Sequence, residues 1–264
     1  MSTTPDPSPL VVREDADGIA TLTLNRARQL NPLSSEMIDA LREELDRVGA
    51  DASVRVVILA GDGRAFSAGH DLRQMRAHPK QAYHDELFRR CAGLMRSVTD
   101  LPQPVIARVQ GIATAAGCQL VATCDLAVAA EEARFATSGI GVGLFCSTPS
   151  VALSRNVSRK RAFEMLFTGE FIDAPTALSF GLVNRVVPAG DLERATRELA
   201  GKIVAKSPVA VRSGKKMFYR QLGLSVADAY DYAADVMVCD MMSEDAAEGI
   251  DAFLEKRTPT WRGR

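Results

Sequence analysis

Two short stretches of small residues constrain this chain most: Arg64-Ala-Phe-Ser-Ala-Gly-His-Asp-Leu72 and Gly111-Ile-Ala-Thr-Ala-Ala-Gly-Cys-Gln119. Each follows a β-rich apolar run, Val54 to Ala60 and Val105 to Val109, and the second opens a helical pattern. Backbone without bulky side chains approaches a neighbour or ligand closely, and free N–H groups at a helix start hold developing negative charge. Two such N–H groups converging on one oxygen make an oxyanion hole. The chain is therefore expected to fold as strand, tight turn, helix, with backbone amides set to do chemistry.

The remaining pattern agrees with an α/β core. Ile19 to Leu24 alternates as a strand, and 25–32 reads as a loop. Met37, Leu41, Leu45 and Val48 mark the apolar stripe of a helix, and Leu87, Cys91, Leu94, Met95 and Val98 mark another from about Ala82 to Thr99. Strands follow at Val105 to Val109, Leu126 to Ala130 and Leu182 to Val187, with a helix through Cys124 and a glycine-rich loop from Gly139 to Gly143. Asp173 ahead of Pro175 is a plausible N-cap and Gly181 a plausible stop. From Leu192 onward the pattern is helical, interrupted at Ser207-Pro208. Strands alternating with helices predict α/β, and the helical tail predicts an appended packing or assembly element.

Lys and Arg total 32 against 33 Asp and Glu in 264 residues, a balance that argues against a nucleic-acid partner. No apolar run reaches the length of a membrane span. The polar, Pro-rich N-terminus reads as a disordered lead-in rather than a targeting signal. The five cysteines, at 91, 118, 124, 146 and 239, form no CxxC, which predicts reduced thiols and a cytoplasmic setting. His70, His78 and His84 lack ligand spacing with Cys or carboxylates, so no metal site is expected.

Asn25-Arg26 with Leu30-Asn31, Phe66 to Leu72, Gly111 to Gln119, Cys124-Asp-Leu-Ala127, Leu166-Phe-Thr-Gly169 and Gly181-Leu-Val183 together resemble the crotonase superfamily of enoyl-CoA hydratases and isomerases. The run Ala113 to Leu120, with Gly143 to Pro149, is similar to one branch of it rather than to the bona fide hydratases. The resemblance implies a crotonase-like spiral of ββα repeats with a C-terminal α-helical trimerisation region. On that reading, residues 1–10 are the lead-in, 11–195 the α/β core and 196–264 the helical region. Homotrimers, or hexamers made of two trimers, are implied as well.

By the same resemblance, the backbone N–H groups of His70 and Ala116 polarise an acyl-CoA thioester carbonyl and stabilise its enolate. No cofactor is permanently bound; coenzyme A enters as part of the substrate. It lies along Arg28, Leu30, Ala68, His70 and Leu72, while Phe253 and Lys256 reach the coenzyme of a neighbouring subunit. Arg28 and Lys256 supply positive charge for its phosphates.

The chain departs from the family pattern where hydratases carry two glutamates: Gln119 stands at the first position and Gly139 at the second. Neither exchanges a proton near neutral pH, and general acid–base groups contribute typically 10²–10⁴-fold each. His84, one turn before Leu87, and the His70 imidazole are candidate replacements, each weighed against a plain packing role. Asp71 reads as a loop brace, Asp125 as structural, Cys118 and Cys146 as buried small hydrophobes, and Glu131 and Glu132 as solvated. Two functions follow: a crotonase-type acyl-CoA enzyme, nominally a hydratase or isomerase of fatty acid metabolism, or a non-catalytic acyl-CoA-binding protein.

Overall fold

Residues 8–264 are described by a computed structural model; of the expected lead-in over 1–10, residues 1–7 lie outside the described residues. The long sheet contains β1 (Val11–Ala16), β2 (Ile19–Leu24), β3 (Val56–Gly61), β5 (Val105–Val109), β7 (Leu126–Ala130) and β10 (Arg185–Val187), in that order across the sheet. All its neighbours pair in parallel except β1, which runs antiparallel to β2. A second sheet holds β4 (Ala65–Ser67), β6 (Ile112–Thr114), β8 (Arg134–Ala136) and β9 (Ile172–Asp173). Successive chain segments place one strand in each sheet: β3 then β4, β5 then β6, β7 then β8. Because each pair advances by one position in both sheets, the chain winds as a spiral.

The described residues also form eleven α-helices: α1 (Ser35–Ala50), α2 (Leu72–Ala77), α3 (Gln81–Asp100), α4 (Ala116–Thr123), α5 (Ser147–Asn156), α6 (Arg159–Thr168), α7 (Ala174–Phe180), α8 (Leu192–Val204), α9 (Pro208–Gln221), α10 (Val226–Met241) and α11 (Glu244–Leu254). The Ser34 hydroxyl caps α1 by accepting from Met37 N at 3.2 Å. The helix then buries Met37, Ile38, Leu41, Leu45 and Val48, the stripe its spacing predicts. An isolated helix of this length is marginal in water, so that burial, worth about 1.5–3 kcal/mol per large apolar side chain, is what holds it. α1 and α3 cover one face of the long sheet within the main core; Leu192, Ala195 and Ala200 of α8 pack on the other, against Ile19, Val56, Ile58, Ile106 and Val128.

Asp173 caps α7 by accepting from Thr176 N at 2.9 Å, and Gly181 ends it at φ 82°, as expected. The strand expected from Leu182 begins only at Arg185; Leu182 and Val183 are buried ahead of it. The expected glycine-rich loop closes as a 3-10 turn over Ser138–Val142.

Asp125 is structural, as the sequence suggests. Its Oδ2 accepts from Val105 N at 2.6 Å and from Lys215 Nζ at 2.7 Å, and its Oδ1 from Tyr219 Oη at 2.7 Å. Lys215 is buried and also donates to the carbonyls of Val98 (2.9 Å) and Gln103 (3.0 Å). This clasp ties α9 to the end of α3 and the start of β5. The helices beyond it leave large apolar side chains in the open, among them Val226, Tyr230, Met242 and Phe253.

Candidate active site

The first small-residue turn is held from beneath by Asn31. Its Nδ2 donates to the carbonyls of Asp62 (2.9 Å) and Ala65 (2.8 Å), while its own carbonyl accepts from Ser67 Oγ at 2.8 Å. Gly69 N donates to Ser67 Oγ at 3.2 Å, and Leu33 N donates to Gly69 O at 2.8 Å. The His70 N–H is left without an acceptor among the described residues.

The second turn presents a matching group. Ala115 has φ 50° and ψ −118°, a backbone conformation that costs of order 1–3 kcal/mol for a residue with a Cβ and recurs at functional sites. Its N–H donates to Ala136 O at 3.0 Å, and Thr114 Oγ1 lies 2.7 Å from Ser138 Oγ. Ala116 opens α4, where a helix leaves its first N–H groups unpaired, and its N–H has no acceptor among the described residues.

Two glycines explain how the turns meet. A Cβ on Gly69 would stand 3.0 Å from Ala116 N, and one on Gly117 would stand 2.2 Å from Ser67 O. No larger residue fits either contact without moving backbone. His70 and Ala116 both line one cavity of about 250 Å³. Its other walls are Ala68, Leu72, Met75, Phe88 and Ala115, together with Ser138, Gly139, Val142 and the segment from Leu144 to Pro149. No Asp, Glu, Lys or Arg is among the lining residues.

Of the residues singled out by sequence, Ala68, His70, Leu72, Ala116, Gly139 and Cys146 line this cavity. Gly139 has no room for a side chain: its Cβ would meet Leu144 O at 2.6 Å and Cys146 Sγ at 2.8 Å. Gln119 is buried on α4 outside the lining, and its Oε1 has no donor among the described residues. His84 also stands off the cavity; its ring is stacked on Phe88 with centroids 6.3 Å apart, and its Nδ1 is buried without a partner among the described residues. Arg28 is exposed on the 3-10 turn Ala27–Gln29, next to Leu30, whose carbonyl accepts from Ala68 N at 2.9 Å. Phe253 is 82% exposed and borders a separate groove with Trp261 and Met241, and Lys256 is exposed after α11; neither lines the cavity.

Asp71 caps α2 by accepting from Arg73 N and Gln74 N, so it braces the turn. Glu131 and Glu132 are exposed. Cys118 and Cys146 are buried free thiols; burial pushes Cys118 up to about 12 and also raises Cys146. A thiol held protonated is a poor nucleophile. The sequence did not single out Phe88, Met75 or Ser138, and Phe145 figured only within the Gly143 to Pro149 run. Phe88, four residues beyond His84 on α3, was the one with a helical-spacing signal.

The family profile for enoyl-CoA hydratase/isomerase matches residues 14–264. The chain belongs to the enoyl-CoA hydratase/isomerase family. It is 48% identical over 254 residues to enoyl-CoA hydratase domain-containing protein 3, mitochondrial, of Xenopus laevis, covering 96% of this chain and 86% of that protein. The crystal structure of an enoyl-CoA hydratase from Mycobacterium smegmatis superposes with TM-score 0.95 at 56% identity, covering 96% of this chain and 99% of that one. That of human enoyl Coenzyme A hydratase domain-containing protein 3 gives TM-score 0.93 at 44% identity, covering 96% and 100%. The crotonase fold and the branch resembled are thus as the motifs implied.

The cytoplasmic expectation is corrected. The frog relative is named mitochondrial, as are those of rat and human. The inference from cysteines failed because four of the five thiols are buried in the core, where packing protects them in any compartment.

Proposed function

We propose that this chain binds the coenzyme A thioester of an apolar acyl group, with the thioester oxygen held jointly by the His70 and Ala116 amides. The unpaired amides on one cavity wall carry this reading. Neither amide has an acceptor among the described residues, and each such donor is worth about 3 kcal/mol to a developing oxyanion in a dry site. The Ala68, Leu72, Met75, Phe88 and Val142 walls suit an apolar acyl chain. Arg28 at the exposed edge suits the coenzyme's phosphates. Coenzyme A enters with the substrate, and no resident cofactor is invoked.

Gln119 and Gly139 occupy the positions of the family's usual glutamates, so hydration loses both proton-handling groups. The open apolar side chains of α10 and α11 support assembly through residues 196–264 into a homotrimer or a hexamer, in which Phe253 and Lys256 approach a neighbour's coenzyme. Titration calorimetry with acyl-CoAs of graded length tests the reading. Saturable binding is expected, weakened by Arg28→Ala for acyl-CoA more than for the acyl-pantetheine fragment; no heat with any acyl-CoA defeats it. A second reading, acyl-CoA binding without turnover, is favoured by the carboxylate-free lining and predicts affinity with no change of bound substrate.

A further inference from the structure

One wall of the cavity belongs to a helix that is too short to hold itself in place. Leu72 and Met75, one turn apart on α2, line the cavity. None of the six residues of α2 is buried, Leu72 is 56% exposed, and Met75 packs half-buried against the main core. A helix of this length does not persist in water alone, so its ties to the rest of the chain set its position. Ahead of α2, Leu33 N donates to Gly69 O at 2.8 Å and His70 Nδ1 lies 3.2 Å from Leu33 O. Behind it, the His78 ring stacks on Tyr83 of α3 with centroids 4.7 Å apart. Gln74 supplies the tie in between. Its Oε1 accepts from Ser35 N at 3.0 Å, and its Nε2 donates to both carboxylate oxygens of Glu36 at 3.1 Å. Ser35 N is one of the donors that a helix leaves unpaired at its start. The Gln74 amide therefore matches a donor and an acceptor standing side by side on the first turn of α1, and turned over it would set donor against donor.

We propose that Gln74 is a positioning residue of this site: standing outside the cavity lining, it locks α2 to α1 so that Leu72 and Met75 stay against the bound acyl group. The inference rests on the acyl-CoA reading above. A hydrogen bond to an ionised carboxylate is roughly twice as strong as one between neutral groups, so the bond to Glu36 is the strong half of the lock. The lock is separate from what holds α1 itself, because Met37, Ile38, Leu41, Leu45 and Val48 bury that helix on its other face. Releasing Gln74 therefore frees α2 without unfolding α1. Apolar affinity follows the area covered, so a wall that swings away gives up contact with the acyl group. Coenzyme A without an acyl group has nothing in the cavity to lose. The side chain that fixes the wall thus governs how strongly the acyl part of the ligand is felt, although it touches none of it.

The test uses the full-length protein, with hydrogen exchange read by mass spectrometry and titration calorimetry with dodecanoyl-CoA and with coenzyme A. Gln74→Glu keeps the size of the side chain, loses the donor and faces Glu36 with a second carboxylate. It is expected to speed exchange of the α2 amides at least about tenfold, the size of a lost hydrogen bond to a charged group, with α1 and α3 unchanged. The preference for dodecanoyl-CoA over coenzyme A is expected to fall by a similar factor. Adding Glu36→Gln exchanges amide and carboxylate: position 36 now donates, and position 74 accepts from it and from Ser35 N. Both readouts are expected to return to within about threefold of wild type, which a residue that merely fills space would not produce. Unchanged α2 exchange in Gln74→Glu, loosened α2 with the acyl preference intact, or a double variant no better than the single one overturns the proposal. Should Gln74→Glu fold poorly, Gln74→Leu removes donor and acceptor without adding charge and is judged by the same two readouts. Wild type that binds no acyl-CoA instead defeats the acyl-CoA reading itself.

Discussion

Replacing Lys215 by Met removes the centre of the clasp that ties α9 to the core. The Lys215 and Asp125 side chains are 6% and 15% exposed, so water cannot easily take over either role. The variant leaves the Asp125 carboxylate with Val105 N and Tyr219 Oη only, and it leaves the Val98 and Gln103 carbonyls without this donor. Breaking a buried pair by removing one partner costs about 3–5 kcal/mol. Two carbonyls that lose their donor, at about 1–3 kcal/mol each, give the same order. For a chain of this size each kcal/mol moves the melting temperature by about 2–4 °C, so a fall of roughly 6–20 °C is expected. Adding Asp125→Asn removes the orphaned charge yet keeps an acceptor for Val105 N. The double variant is therefore expected to recover more than about 1 kcal/mol relative to additivity. Thermal and urea unfolding followed by circular dichroism measure both. A Lys215→Met melting point within about 2 °C of wild type, or strict additivity of the pair, would refute the clasp.

Three shorter expectations accompany it. Gly117→Ala pushes a methyl into Ser67 O at 2.2 Å, so it is expected to destabilise the fold by about 1–3 kcal/mol and, on the proposed reading, to weaken acyl-CoA binding by displacing the Ala116 amide; unaltered affinity in calorimetry would contradict that reading. Gly139→Glu is expected not to confer hydration of crotonyl-CoA, because its Cβ already meets Leu144 O and Cys146 Sγ; appearance of 3-hydroxybutyryl-CoA would show that the loop yields. Glu248 accepts from Arg257 and from Thr260 N, which hold its carboxyl down at about 2 against an ordinary 4.5. Since the folded value is depressed, its stabilisation is present above pH 4.5 and is lost as pH falls toward 2. The melting difference between wild type and Glu248→Gln is expected to be largest near neutrality and to close over that window.

The inner long-sheet strands β2, β3, β5 and β7 were readable because each is a run of mostly buried aliphatic and β-branched residues, as in Val105 to Val109. The helices α1 and α3 were readable because their apolar residues recur at helical spacing. The edge strand β1 was not, since Val-Val-Arg-Glu-Asp-Ala mixes charge into a half-exposed strand and leaves no alternation to detect. Strands β4, β6 and β8 have three residues each, too few for any period to show. Their pairing comes from β3, β5 and β7 being laid side by side.

Sequence alone determined which backbone segments meet without side chains between them, because only Gly69 and Gly117 tolerate contacts with Ala116 N and Ser67 O. It also determined that Gln119 and Gly139 bring no exchangeable proton. Tertiary structure alone decided that His70 lines the cavity while His84 and Gln119 stand behind it, and that Phe88 and Phe145 complete the wall. Those placements depend on how α3, α4 and the 138–149 segment pack across the spiral. That packing sums many long-range contacts, which no local spacing encodes.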